Sequence, residues 1–147
     1  MKSTEALNDL IEINNDRVVG YEKAAAQADD VDLKSIFHAN AAESKKFAEE
    51  LKKLVAKQGA EPVKDTTFRG KIYRTWMDVK ATFGGDDRKG ILASCEFGED
   101  AAQRAYKSAL EDKDLPPEAR SVIERQKEVL RGAHDRIKAM RDSVPAR

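Results

Sequence analysis

The sequence predicts an all-α protein: a four-helix bundle with one long crossover between its second and third helices and a short additional helix inside that crossover. Three observations carry this. The four prolines are Pro62, Pro116, Pro117 and Pro145, so long segments are free of helix breakers. Within those segments apolar residues recur in alternating steps of three and four, the period of one helical face. No alternating strand pattern with turn chemistry competes anywhere. A length of 147 residues fits one domain. A charged fraction of 37% beside an apolar fraction of 40% suits helices with one wet and one dry face.

The first helix is expected over about residues 4–28, with the stripe Leu7, Ile11, Asn14, Val18, Tyr21, Ala25 and Ala28. Ser3 or Thr4 suits its start, and Glu5 its first turn. The second is expected over about 33–58. Asp32 is its predicted N-cap, and Val31 and Ile36 sit at the spacing of a hydrophobic staple. Its stripe is Leu33, Phe37, Asn40, Ser44, Phe47, Leu51 and Leu54, and Gly59 is a C-terminal stop. The crossover follows, and Phe68, Ile72, Trp76, Val79 and Phe83 predict a short helix over about 67–83. The helix over about 88–112 carries Leu92, Cys95, Glu99, Ala102, Tyr106 and Ala109. The last, about 117–142, opens at Pro116–Pro117 and carries Ala119, Ile123, Gln126, Leu130, Ala133, Ile137 and Met140.

Charge narrows the partners. Lys and Arg number 27, as do Asp and Glu, for a net charge of +0. That balance removes the simplest electrostatic case for nucleic acid or an anionic membrane. The first ten residues lack the apolar run of a signal peptide, and no stretch approaches the roughly 20 apolar residues of a membrane span. The one cysteine, Cys95, has no partner for an internal disulfide, which fits a reduced, cytoplasmic setting. Charge is nevertheless uneven along the chain. Between Lys64 and Lys80, five basic residues (Lys64, Arg69, Lys71, Arg74, Lys80) face two acidic ones (Asp65, Asp78). The first thirty residues hold seven acidic side chains against Lys2, Arg17 and Lys23. An acidic end and a basic end favour self-association or docking of a protein partner, with a homodimer as the simplest form. Tyr73 and Trp76 are candidate anchors; packing of Trp76 onto the bundle is the plainer reading.

The two halves look related. Each has a long helix with an inward tyrosine (Tyr21, Tyr106), a short acidic turn and a second long helix. A polar residue lies seven positions before each tyrosine on the dry stripe: Asn14 and Glu99. Short loops within halves and one long loop between them give the connectivity of a ferritin-like bundle. The runs LNDLIEINNDRVVGYEKAA, FRGKIYRTW, GEDAAQRAYKSAL and GAHDRIKAMRD resemble a bacterial family of uncharacterised ferritin-like four-helix-bundle proteins. The resemblance implies that fold, with a helical crossover, and a distant link to di-iron carboxylate proteins. It implies no activity.

That link is testable residue by residue. A ferritin-like di-iron site takes a Glu from each of two helices and a Glu-x-x-His from each of the other two. Ser35 stands three residues before His38 and Arg131 three before His134, so no Glu-x-x-His exists. Ser44 and Phe47 fall at the second-helix slots and Asn14 at the first. In the last helix the slots fall on Arg131 and His134 by motif, or on Leu130 and Ala133 by hydrophobic phase. Only Glu99 clearly keeps a ligand role, with His134 beside it in one reading. The expectation is therefore a polar core layer of Asn14, Asn40, Ser44, Glu99, Gln126 and His134 at former metal slots, with no cofactor and no catalytic residue. If an ion binds, Glu99 and His134 hold it. Buried polar groups need hydrogen bonds, and an unmade one costs about 1–3 kcal/mol. For Glu99 the candidate neighbours are His134, Arg131 or an amide.

Other groups carry plainer readings. Glu22 and His38 are expected to approach across the first turn as a surface ion pair. Glu96 is expected at a solvated boundary, with cation binding beside Glu99 as the sharper option. Cys95 is expected to pack rather than react. The functional expectation is a non-catalytic bundle acting through protein contacts; the alternative is a metal-binding protein of iron handling or oxidative-stress defence with a reduced ligand set.

Overall fold

The computed structural model describes residues 2–60 and 88–143. The crossover helix expected over about 67–83, with Tyr73 and Trp76, lies outside the described residues. Within them the chain forms four helices and no strand: α1 (Lys2–Gln27), α2 (Val31–Lys57), α3 (Arg88–Leu110) and α4 (Pro117–Asp142). None is long and apolar enough to cross a membrane.

Local chemistry sets the helix ends. Asp30, with extended backbone, is the N-cap of α2, so the expected cap at Asp32 is corrected to two residues earlier. Asp32 lies inside the first turn, and Arg88 bridges both acids, at 2.7 Å to Asp30 and 3.2 Å to Asp32. The expected staple does not form: Val31 is 80% exposed. At the other end of α2, Gly59 takes φ +75°. The Gly59 amide donates to the Ala56 carbonyl (2.9 Å) and the Ala60 amide to that of Val55 (3.3 Å), the two bonds that close a helix through a left-handed residue. Helix α3 ends at Leu110 rather than 112. There the Arg120 guanidinium donates to the Leu110 and Asp112 carbonyls at 3.0 and 2.9 Å, satisfying oxygens left over at the helix end. Pro117 occupies the first turn of α4, where its missing amide is no loss.

Side-chain links define the packing. Thr4 on α1 donates to Gln58 just after α2, and Asn14 on α1 meets Tyr106 on α3. Lys57 on α2 pairs with Glu118 on α4, and Glu96 on α3 with Arg141 on α4. Each of these neighbours runs antiparallel. Helices α2 and α3 are therefore parallel, and the chain between them joins opposite ends of the bundle. A helix of 26 residues is about 39 Å long, so a tight turn is excluded there.

The stripes bury as faces. On α2 and α3 every stripe residue is buried. On α1 Val18 is only half-buried, and Arg17 takes the inward place beside it. Apolar residues gather in two clusters. One holds Leu7, Ile11, Phe47, Leu51, Ile123 and Leu130; the other holds Tyr21, Leu33, Phe37, Leu92, Cys95 and Ile137. A band of buried polar residues lies between them.

Two stability measurements follow from this architecture. A Cβ at Gly59 meets no atom within 4 Å, so Gly59→Ala carries backbone strain alone. The left-handed conformation costs an alanine about 1–2 kcal/mol, read as a melting point lower by roughly 2–8 °C. Glu12 on α1 is buried, and burial, then the charges of Asp9 and Asp16, raise its carboxyl from 4.5 to about 7. The folded chain keeps that proton while the unfolded chain gives it up near 4.5, so this contribution to stability falls as pH rises from about 4.5 to about 7. Urea unfolding of Glu12→Gln is expected to match the parent at pH 4 and to exceed it at pH 8.

Candidate functional site

The polar band is built by one step of the helix period on each rod. On α1, Asn14, Arg17 and Tyr21 are spaced three and four apart and point inward. Ser44 of α2, Glu99 and Tyr106 of α3 and Gln126 of α4 meet them. All are buried, Arg17 at 1% exposure and Glu99 at 0%.

Arg17 and Glu99 form its centre. The guanidinium grips the carboxylate with two nitrogens, Nε to Oε1 at 3.1 Å and Nη2 to Oε2 at 2.5 Å. The Tyr21 hydroxyl donates to the same Oε2. The third guanidinium nitrogen, Nη1, donates to the Ser44 hydroxyl. From Ser44 the bonds continue: to Asn14 Oδ1 (2.9 Å), from Asn14 Nδ2 to the Tyr106 hydroxyl (2.8 Å), and from that hydroxyl to Gln126 Oε1 (2.6 Å). Gln126 Nε2 then donates to Glu50 Oε1 (3.1 Å), whose other oxygen takes Arg125 at 2.7 Å. The chain of bonds crosses all four helices. Every hydroxyl along it between Arg17 and Gln126 donates once and accepts once. Bonds of that kind polarise one another.

The two halves interlock here. Asn14 and Glu99, each seven residues before a tyrosine, bond the tyrosine of the opposite half. Asn14 meets Tyr106, and Glu99 meets Tyr21.

Electrostatics follow from burial. Burial alone would lower Arg17, but the charge and hydrogen bond of Glu99, with Tyr21 and Glu43, together outweigh it, so the guanidinium is held above its ordinary range. Burial, reinforced by the Glu99 charge, pushes the Tyr21 phenol well above its usual value, so it remains a donor. Burial also raises Tyr106, against the Asn14 hydrogen bond. The Arg17 guanidinium carbon lies 5.2 Å from the Tyr21 ring centroid, a cation over a π face. Glu43 of α2 faces the same centre. Its burial raises it and the Arg17 charge opposes that.

Several expectations are corrected. The neighbours of Glu99 are Arg17 and Tyr21, not His134, Arg131 or an amide. His134 is not in the layer: its side chain is 19% exposed, because α4 keeps its hydrophobic phase and buries Leu130 and Ala133. Asn40 is buried, but its Nδ2 finds no hydrogen-bond partner among the described residues and it stays outside the network. His38 is exposed, and Glu22 pairs at 3.6 Å with Lys45 instead. Glu96 is buried rather than solvated, 2.5 Å from Arg141. Cys95 is buried. Arg17 and Glu43 were not foreseen. The signal for Arg17 lay in its spacing, three after Asn14 and four before Tyr21.

His134 belongs to a second group, at the α3–α4 seam. Its Nε2 is 2.6 Å from Asp100 Oδ1 and its Nδ1 is 3.1 Å from Asp135 Oδ1. One ligand atom each from Glu96, Asp100 and His134 lies within 4.8 Å of the others. Burial would lower the imidazole, and the two aspartates more than offset it and raise it.

The bundle centre does not fit a pair of metal ions. Two cations need several anionic oxygens and imidazoles. The centre supplies Glu99, already held by two nitrogens of a buried cation, and the half-buried Glu43, and among the described residues no imidazole reaches it.

Residues 2–112 match the family described as "Domain of unknown function (DUF2383)". The chain belongs to that family. The matched DUF2383 region spans α1, α2 and α3, and so holds Arg17, Tyr21, Ser44, Glu99 and Tyr106. Gln126 and His134 follow it on α4. No curated protein matches the chain.

Removing one partner of a buried ion pair strands the other. Glu99→Ala and Arg17→Ala are each expected to cost about 3–5 kcal/mol. Replacing both, as Arg17→Met with Glu99→Leu, should recover most of that loss, since no charge is then left unpaired. Chemical denaturation of the two single variants and the double variant measures the coupling.

Proposed function

We propose that this DUF2383 chain is a non-catalytic, ferritin-like bundle, cytoplasmic, that works through protein contacts. In this reading its core is a former di-iron site closed by an internal ion pair. The observation that supports it is Arg17. Its guanidinium stands at the centre of the four helices and takes both oxygens of Glu99, the carboxylate best placed to ligate. A fixed positive charge there does what a metal ion does in a carboxylate-rich bundle: it balances a buried anion and ties the helices together. Antiparallel pairs α1–α2 and α3–α4, joined by a connection between opposite ends, support the ferritin-like assignment. The acidic first thirty residues and the basic Lys64–Lys80 run support self-association or a protein partner.

Iron chemistry separates this reading from its alternative, a reduced-ligand iron protein. Iron(II) added in air to the purified full chain is expected to oxidise at the protein-free rate. An acceleration that Glu99→Gln abolishes would overturn the proposal. Light scattering across a concentration series tests the contact role, with a mass above one chain, 16.4 kDa, expected for self-association.

A further inference from the structure

We propose that Glu96, Asp100 and His134 form a binding site for one divalent first-row metal ion at the α3–α4 seam, and that Arg141 closes this site when no ion is bound. The site is separate from the Arg17–Glu99 centre and does not depend on the reading of that centre.

Helix spacing supplies the frame. Glu96 and Asp100 are four residues apart on α3, so one turn stacks their carboxylates on a single face. His134 reaches them from α4, which runs antiparallel alongside. The ligand atoms lie within 4.8 Å of one another. Bonds of about 2.0–2.2 Å from nitrogen and oxygen to a zinc-sized ion span such a gap. One imidazole with two carboxylates suits borderline divalent ions better than calcium or magnesium, which take oxygen alone.

Outer contacts point the same way. His134 faces an acid on each side, Asp135 Oδ1 at 3.1 Å from Nδ1 and Asp100 Oδ1 at 2.6 Å from Nε2; an entering ion takes the place of the Nε2 proton, and Asp135 then holds the one on Nδ1. A carboxylate behind a histidine is the usual device for orienting a metal-binding imidazole. Without an ion, that edge needs another positive charge. Arg141 provides it, 2.5 Å from Glu96 Oε1 and 3.0 Å from Asp142 Oδ1. The guanidinium and a metal ion compete for the Glu96 carboxylate. An entering ion displaces Arg141, which keeps its partner Asp142.

The test uses the untagged full chain, freed of metal with a chelator and titrated with Zn2+ by calorimetry and with Co2+ by visible absorption. One ion per chain is expected, with cobalt bands characteristic of mixed nitrogen and oxygen ligation. His134→Gln and Asp100→Asn should each weaken binding by about tenfold or more, and Asp135→Asn by about tenfold. Arg141→Gln should tighten it, and His38→Gln should leave it unchanged. These positions are partly or fully exposed, and circular dichroism checks that the helices persist. The proposal is overturned if no saturable binding occurs up to millimolar ion, or if His134→Gln binds as the parent does. It is also overturned if Arg141→Gln weakens binding, or if zinc doubles the scattering mass and so sits between copies. None of these outcomes bears on iron(II) oxidation at Glu99, so the two readings fail independently.

Discussion

A guanidinium taken out of water has to meet an anion, and the interior of this bundle is arranged around that requirement. Arg17 has no route to solvent, so Glu99 must face it across the α1–α3 contact, with Ser44 and Tyr21 completing the shell. The net stability of such a pair is small, because desolvation offsets most of the attraction. Its leverage lies in what mismatch costs. Sliding α1 against α3 by one turn would leave two buried charges unpaired. An apolar core of leucine and alanine tolerates such slips far better. The ion pair therefore acts on register more than on total stability.

The bonds that radiate from it have a fixed direction. Tyr21 and Arg17 donate into Glu99, and Arg17 donates outward through Ser44, Asn14, Tyr106 and Gln126 until Glu50 ends the run beside Arg125. One Arg–Glu pair is buried and the other meets solvent. A hydroxyl with one donor and one acceptor neighbour has no alternative orientation to sample, which stiffens the band between the two apolar clusters. The crossed tyrosines add to this. Each half of the chain completes the polar residue of the other, so neither helical pair satisfies its own interior alone.

The two polar groups of the molecule contrast in chemistry. The central one is matched along its run of bonds: cation, carboxylate, hydroxyls and amides each meet a partner. The seam group has the opposite character. Its acids and imidazole crowd together near the surface and rely on an arginine that has a second acid to turn to. Matched interiors specify structure; groups with a displaceable partner exchange it.

Period and punctuation in the sequence determined the four helices, their inward stripes, the stop at Gly59 and the need for a long link between the second and third. Those features depend on residues close in sequence, where backbone geometry alone sets which side chains share a face. The same stripes made Asn14, Ser44, Glu99 and Gln126 legible as interior polar residues. What they bond was not legible, because partners such as Arg17 and Glu99 are 82 residues apart. A charge at the margin of a stripe reads as solvated until a second helix covers it, which is why the sequence does not single out Arg17 and reads Glu96 as a solvated boundary residue. The phase of α4 in the assembled bundle decided that Leu130 and Ala133 turn inward and His134 does not, and so moved the histidine from the centre to the seam. Pairing across helices is a property of packing, and only the tertiary structure contains it.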